Sequence, residues 1–216
     1  MATPLHSHPE RNSIRLQLKQ NVLLAGLAES ELAELAELLF IVDRHRGDVL
    51  LRQGDMELRQ YFVIDGLLKR TVTSPEGREM TLCFADARGM ETSHDAWQNG
   101  TCSAHSVVCV TRSRVAQLPI KDWCAFIDRH PHARQVFADA VMAVTRAIMG
   151  HAINLHLLDA PSRVRHFSCK HPELVDRLSQ RELASHLNLS AETLCRLCKR
   201  PDASLRQRQP AALALQ

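Results

Sequence analysis

The sequence predicts an α+β chain that combines an antiparallel β-sandwich or barrel, one long helix and a C-terminal pair of short helices. Short apolar runs between Asp43 and Leu118 are separated by glycines, which is typical of strands and turns. Apolar residues then recur at spacings of four and three from about Pro131 to Leu158, which predicts a helix. The segment Leu178–Arg200 predicts two helices joined by a tight turn. We therefore divide the chain into residues 1–130, 131–159 and 160–216.

Residues 21–40 come before the strands and carry leucines among acidic residues, the pattern of short amphipathic helices. A junction is predicted at Ala28-Glu29-Ser30-Glu31. The strands themselves are predicted in six runs: Asp48–Leu51, Tyr61–Ile64, Leu67–Val72, Met80–Phe84, Ser106–Val110 and Arg114–Leu118. The regular succession of short strands and turns predicts a sandwich or barrel.

The long helix predicts a homodimer, because its apolar positions follow the seam of a two-stranded coiled coil. The predicted dimer seam consists of Phe137, Val141, Val144, Ile148, His151, Leu155 and Leu158. His151 is the polar member, and a residue that sets register is favoured over a pH-sensitive or ligand-sensitive one. No apolar run approaches the length of a membrane span, and the polar N-terminus does not resemble a signal peptide. A cytoplasmic protein with no membrane partner is expected.

The two C-terminal helices predict a helix-turn-helix. Leu183, Ala184 and Leu187 form the expected buried side of the first helix, and the second helix is expected to bury Leu194, Leu197 and Cys198. Asn188 tolerates the left-handed conformation that the turn needs, and Ser190 is a suitable N-cap for the second helix.

A helix-turn-helix binds DNA by placing its second helix in the major groove. Glutamate can accept from cytosine and arginine can pair with guanine, so Glu192 and Arg196, one turn apart, are candidate base readers. The alternative is an ordinary surface ion pair between them. Charge favours DNA: residues 161–216 hold ten Lys/Arg and five Asp/Glu, whereas the preceding 160 residues hold 17 and 19.

Together these parts resemble the CRP/FNR transcription regulators, which join a cyclic-nucleotide-binding-like β-roll, a dimerisation helix and a helix-turn-helix. The resemblance covers the chain to about residue 200. Three segments carry it in addition to the helix-turn-helix: Gly47–Asp55, Tyr61–Lys69 and Ala160–Phe167. It implies a homodimer that binds double-stranded DNA with two-fold symmetric half-sites and contacts RNA polymerase.

In the recognition helix, the resemblance assigns base contacts to Glu192 and Arg196 and makes Ala191 and Cys195 the variable specificity positions. The family has serine or glycine at the position of Cys195, so half-sites of both the TTGAT and the TGTGA kind stay open. The full set of expected DNA-contacting residues is Gln180, Ser190, Ala191, Glu192, Cys195, Arg196 and Lys199. The family's β-hairpin wing should follow, but Pro201–Pro210 shows no alternating strands, so the wing is expected to be missing.

The resemblance also locates an effector pocket at Gly89, Glu91, Cys102 and Ser103. In the cyclic-AMP-binding branch, a Gly-Glu pair holds the ribose and an Arg-Ser pair holds the phosphate. Here Ser103 is present but its arginine partner is not, which disfavours cyclic AMP unless Arg88 or Arg112 reaches in from elsewhere.

The histidines and cysteines indicate which of the family's other cofactors this chain could hold. The N-terminus holds no cysteine, so an FNR-type iron–sulfur cluster is not expected. Haem could be held by His94 or His105 with Cys83 or Cys102, although packing is the commoner role for such residues. A redox-reactive thiol is a further alternative. No metal site is predicted.

The seven cysteines follow no disulfide framework. Cys195 and Cys198 form a CxxC motif without a second pair, so independent roles are favoured, with Cys195 facing the groove and Cys198 the core. Oxidation of Cys195 would place bulk or charge on the DNA-facing surface.

Enzymatic activity is not expected, because phosphate-loop, nucleophile-elbow and HExxH motifs are absent. The leading hypothesis is a regulator controlled by a small-molecule or redox signal in the β-roll. The alternative is a β-roll sensor that acts through a protein partner, with a degraded DNA-binding domain.

Overall fold

The computed structural model describes residues 2–199, with Lys199 described only in its backbone. The chain divides into two compact units, residues 1–151 and residues 152–216. The predicted missing wing and basic tail fall on residues 200–216, outside the described residues.

The first unit is an antiparallel sandwich of two sheets. One sheet has five strands in the order β1-β2-β9-β4-β7, and the other has four in the order β3-β8-β5-β6. The strands are β1 Ala2–Pro4, β2 Phe40–Arg44, β3 Val49–Leu51, β4 Arg59–Asp65, β5 Leu67–Thr73, β6 Glu79–Asp86, β7 Met90–Thr92, β8 Ser106–Cys109 and β9 Ser113–Pro119. All six predicted strands are confirmed, and β1, β2 and β7 were not predicted.

Helices cover the sandwich. The helices of the first unit are η1 Leu5–Ser7, α1 Arg11–Leu18, α2 Glu29–Leu38, α3 His94–Asn99 and α4 Ile120–Arg129. Helix α2 confirms one of the short helices expected within residues 21–40, but residues 22–26, before the predicted junction, form turns rather than a helix. Helix α2 begins at the predicted junction, where Glu31 accepts a hydrogen bond from the backbone N–H of Ala28. α1 was not predicted.

Two hydrophobic cores result from this layering. The core between the two sheets includes Val42, Tyr61, Leu68, Val107 and Val115. A larger core lies between the five-stranded sheet and the helices, and its fully buried aromatic side chains are Phe62, Trp123, Phe126 and Phe137. Both faces of the five-stranded sheet are therefore buried.

One glycine is needed for the sharp turn between β4 and β5. Gly66 has a φ of 97°, where side chains with a Cβ are strained. A Cβ there would also lie 2.6 Å from the carbonyl oxygen of Arg112. The aromatic-apolar strand, glycine turn and returning strand expected from Tyr61–Lys69 are thus present.

The predicted long helix is confirmed as α5, Pro131–Leu157. By length and composition alone it could span a membrane, which corrects the expectation that no apolar run reaches that length. Phe137 is 2% exposed and belongs to the helix-side core of its own chain, and Val141 and Val144 pack against that core. The first three residues of the predicted dimer seam are thus packed within the first unit.

The second unit is helical, with α6 Ala160–Lys170, α7 Pro172–Val175, α8 Gln180–His186 and α9 Ala191–Lys199. Helix α6 starts where Asp159 accepts a hydrogen bond from the backbone N–H of Ser162, 2.9 Å away. The predicted break between the long helix and the C-terminal module is therefore confirmed.

Candidate functional site

The interior of the sandwich contains a buried ion pair between the two sheets. Arg70 lies on β5 of the four-stranded sheet and Glu91 on β7 of the five-stranded sheet. The Nε and Nη2 atoms of Arg70 donate to the same oxygen of Glu91, Oε2, over 2.9 and 2.6 Å. The side chains are 12% and 2% exposed. The pair joins the sheets through two charge-assisted hydrogen bonds.

Burial and the nearby carboxylate act in opposite directions on the pKa of Arg70. Burial alone would lower the pKa of the Arg70 guanidinium, but the facing Glu91 carboxylate outweighs it and holds that pKa above its ordinary value. Cys83, on the neighbouring strand β6, has its thiol pKa raised to about 12 by burial first and by Glu91 second. Arg70 is therefore charged and Cys83 is a neutral thiol at physiological pH.

The four expected pocket residues lie in this region in different surroundings. Glu91 and Ser103 are each 1% exposed. The hydroxyl of Ser103 donates to the backbone carbonyl of His105 over 2.7 Å. Gly89 accepts a hydrogen bond from the Asn21 side chain over 2.7 Å, whereas the side chain of Cys102 is exposed.

The arginine that reaches Glu91 was not predicted. Arg88 is exposed, and Arg112 acts electrostatically on Asp43, so the expectation that one of them could reach into the pocket is not met. The arginine that lies beside the expected pocket residues is Arg70, which binds Glu91. No sequence signal points to Arg70, because it follows Lys69 in a strand segment that looks exposed and its partner Glu91 lies on the other sheet.

His105 lies close enough to Arg70 to be affected by its charge. Its Nε2 is buried without a hydrogen-bond partner, and burial first and Arg70 second lower the pKa of the ring to about 3. The imidazole is therefore neutral at physiological pH.

The other histidine considered for haem, His94, packs edge-on against Phe137 with the ring centres 5.0 Å apart. All seven cysteines are free in the structure. Within residues 2–199, no three His, Cys, Asp or Glu side chains are grouped in a way that could hold a metal ion. The haem alternative thus stays a sequence-based hypothesis without a ligand cluster in the described residues.

His105 leads to a prediction on acid stability. Because its folded pKa lies below its unfolded value of about 6.5, the unfolded chain binds the extra proton and stability falls as pH drops from about 6.5 towards 3. We expect His105→Leu to remove a slope of about 1 kcal/mol per pH unit in that window. Urea unfolding at pH 7 and pH 5 measures it. The exposed His45→Leu is the control, and an unchanged slope in His105→Leu would contradict the assignment.

The helix-turn-helix of the second unit is specified by local caps. The hydroxyl of Ser179 accepts from the backbone N–H of Glu182 at the start of α8, and Glu182 accepts in return from the N–H of Ser179. Asn188 has a φ of 52° in the turn, as predicted. Ser190 accepts from the N–H of Thr193 over 3.1 Å at the start of α9. The turn therefore has the chemistry that the sequence indicated.

Packing completes the motif. The residues buried between its helices and the rest of the second unit are Leu183, Ala184, His186, Leu187 and Leu194. From α6, Arg163 donates to the backbone carbonyl of Leu187 over 2.6 Å, and Phe167 packs edge-on against His186. Helix α6 thus supports the end of α8.

The candidate DNA-contacting residues lie on α9, at its start and at the start of α8. Gln180, Ser190, Ala191, Glu192 and Arg196 are exposed, Cys195 is half-buried, and the side chain of Lys199 lies outside the described residues. Glu192 and Arg196 form no ion pair with each other in the part of the chain that is described, so the alternative of a surface ion pair is not supported.

One expected orientation in α9 is wrong. Cys198 is exposed rather than turned to the core, while Cys195 is half-buried. Leu194 is the buried residue of α9, and the first helix of the motif, which has only seven residues, is short. Cys198 lies one turn beyond Leu194, so fewer residues cover it.

The long helix presents large apolar side chains to solvent. Met142 and Met149 are 53% and 61% exposed, and Ile153 and Leu157 further along are 41% and 72% exposed. The C-terminal members of the predicted seam are half-buried: Ile148, His151, Leu155 and Leu158. An apolar helix in contact with water on this scale is typical of a surface that another molecule covers.

Comparison with known proteins agrees with this architecture. Residues 42–130 match the family model of the cyclic nucleotide-binding domain. A search of curated protein sequences finds no match. Among solved structures, a protein described as a transcriptional regulator of the CRP/FNR family from Eubacterium rectale is 14% identical, with a TM-score of 0.70 over 83% of this chain and 85% of that chain.

Two further structures extend the comparison. The c-di-GMP-responsive global regulator CLP of Xanthomonas campestris is 18% identical, with a TM-score of 0.68 over 80% of this chain and 90% of its own. The catabolite activator protein of Thermus thermophilus is 22% identical, with a TM-score of 0.52 over 82% and 85%. Residues 42–130 are therefore similar to the cyclic nucleotide-binding domain, and the chain shares the fold of these three solved structures, as the resemblance in its sequence predicted.

Proposed function

We propose that this chain is a dimeric, sequence-specific DNA-binding transcription regulator rather than an enzyme. The observation that carries the proposal is the capped helix-turn-helix, in which Glu192 and Arg196 are exposed one turn apart on α9. Both side chains can form directed hydrogen bonds with base edges, Glu192 as acceptor and Arg196 as bidentate donor. The basic excess of residues 161–216 adds attraction to phosphates.

The rest of the proposal concerns assembly and control. The exposed apolar side chains of α5 support a homodimer, which would place two recognition helices on two-fold symmetric half-sites. The β-roll senses the signal, a small molecule or a redox change, and a shift between two orientations of the DNA-binding units transmits it. RNA polymerase is the expected protein partner and the cytoplasm the expected location.

The first experiment measures binding to labelled duplexes that carry inverted repeats of TTGAT or TGTGA, by fluorescence anisotropy at several salt concentrations. We expect affinity to fall steeply with salt and one repeat to bind best. Arg196→Ala should cost about 1–3 kcal/mol and relax the preference at one base pair. Sedimentation of the same samples measures whether the chain is dimeric.

A charge-neutral pair of variants separates base reading from general attraction. Glu192→Ala/Arg196→Ala leaves the net charge unchanged, so its expected loss of preference between the two repeats is not an electrostatic effect. Lys170→Ala/Glu173→Ala is the matched control, because both residues are exposed in the second unit outside the two helices of the motif. If the unmodified chain shows no salt-dependent binding to any inverted repeat, the alternative of a sensor acting through a protein partner is favoured.

A further inference from the structure

A cyclic nucleotide in a domain of this family needs two kinds of partner from the protein. The cyclic phosphate needs a cation with local hydrogen-bond donors, and the ribose hydroxyl needs an acceptor such as a free carboxylate. The described residues fit neither need. Where the resemblance expects the phosphate-binding arginine, the chain has Cys102, whose side chain is exposed. The expected acceptor, Glu91, is already bound to Arg70.

The pairing of Glu91 leaves no low-cost way to free its carboxylate. The side chain of Glu91 is 2% exposed and that of Arg70 is 12% exposed, so the two charges would have to be separated inside the sandwich. Removing one partner from a buried ion pair leaves the other as an uncompensated charge, which is strongly unfavourable. A ribose hydroxyl, which is neutral, cannot replace a guanidinium as a partner for a buried carboxylate.

Arg70 itself is a poor substitute for the missing arginine. If a phosphate took Arg70, Glu91 would be left without its cation and beside a second anion, and like charges in such surroundings repel strongly. Among the described residues, Glu91, Cys83 and Asp95 act on the pKa of Arg70 and Arg70 in turn acts on His105, and none of these four groups supplies a replacement cation. His105, the basic one among them, is held neutral by its burial and by Arg70.

We propose that the Arg70–Glu91 ion pair takes the place of a cyclic nucleotide in this domain: it ties the four-stranded sheet to the five-stranded sheet from within and excludes cyclic nucleotides. The β-roll is thereby held together by a contact between its own strands, β5 and β7. This inference concerns the first unit alone and does not depend on whether the second unit binds DNA. It narrows the signal of the regulator to a class other than cyclic nucleotides.

The test is a calorimetric titration of the full chain with cyclic AMP and with cyclic GMP, up to about 1 mM, a range that detects even weak sites. We expect no binding by the unmodified chain or by Cys102→Arg, since Glu91 stays paired in both. Arg70→Met/Cys102→Arg frees the carboxylate and restores the cation, and it should bind at least about tenfold more tightly than Cys102→Arg.

Two results would overturn the proposal. One is binding of either nucleotide by the unmodified chain with a dissociation constant of tens of micromolar or tighter. The other is binding by Cys102→Arg as tight as that of the double variant, because the missing arginine alone would then explain why the unmodified chain does not bind. The first result can be measured even if Arg70→Met/Cys102→Arg does not fold, which circular dichroism checks. In that case, binding by Cys102→Arg with a dissociation constant of tens of micromolar or tighter takes the place of the second result. Cys102→Ser and the exposed Arg52→Met are controls for the two positions changed.

Discussion

Replacing Arg70 by methionine is expected to lower the free energy of unfolding by about 3–5 kcal/mol. The substitution keeps most of the side-chain volume but removes the only hydrogen-bond donors to the Glu91 carboxylate in residues 2–199. Glu91 is then a buried, unpaired charge that must be protonated or exposed for the chain to fold. Urea unfolding followed by circular dichroism measures the loss.

The matching double variant distinguishes the cost of an unpaired charge from the value of the pair. In Arg70→Met/Glu91→Leu no buried charge remains, and we expect most of the stability lost by Arg70→Met to return. Lys19→Met is the control, because Lys19 pairs with Glu29 on the surface with side chains 43% and 79% exposed, and it should change stability little. A double variant as unstable as the sum of the single ones would show that the pair is not a coupled unit.

The elements that could be predicted are those whose residues interact locally. The turn of the helix-turn-helix follows from Asn188 and Ser190, which act on their own backbone within a few residues, and both have the predicted conformation or hydrogen bond. Five of the six predicted strands have four to eight residues, which is enough to show a pattern, and the sixth, β3, has three residues that are all apolar. By contrast, β1 and β7 have three residues each, which is too short for an alternation to be recognised.

The Arg70–Glu91 pair could not be predicted because it depends on how the two sheets stack. The two residues are 21 positions apart and lie on strands that are not neighbours in either sheet. In the sequence, Lys69-Arg70 reads like the exposed part of a strand, and only the sandwich places one of these side chains inside. The resemblance singled out Glu91 as an expected pocket residue, but a family motif does not report a partner from outside the motif.

The long helix shows a second limit of pattern reading. A spacing of four and three predicts an apolar stripe but does not say what covers it. Phe137, Val141 and Val144 pack against the core of the first unit, whereas the large side chains that reach solvent, such as Met142 and Met149, are outside the predicted seam. A second copy of the chain would therefore meet a surface that includes residues absent from the predicted seam.

Trp123 is the position where the helix-side core should be most sensitive. Its side chain is fully buried on α4 and contacts three other rings: Phe62 on β4 at 5.3 Å, Phe126 at 5.7 Å and Phe137 on α5 at 5.5 Å between ring centres. These contacts connect the five-stranded sheet to α4 and to the start of the long helix. Loss of this side chain would affect three elements at once.

We expect Trp123→Ala to lower the free energy of unfolding by about 3–5 kcal/mol, because it removes a large buried side chain and leaves a cavity that the surrounding rings cannot fill. Trp123→Phe should cost clearly less, since it keeps an aromatic ring and also removes the indole N–H, which is buried without a hydrogen-bond partner. The exposed Trp97→Phe is the matched control. Urea unfolding followed by circular dichroism measures all three, and equal stability of Trp123→Ala and Trp97→Phe would show that the aromatic cluster does not hold these elements together.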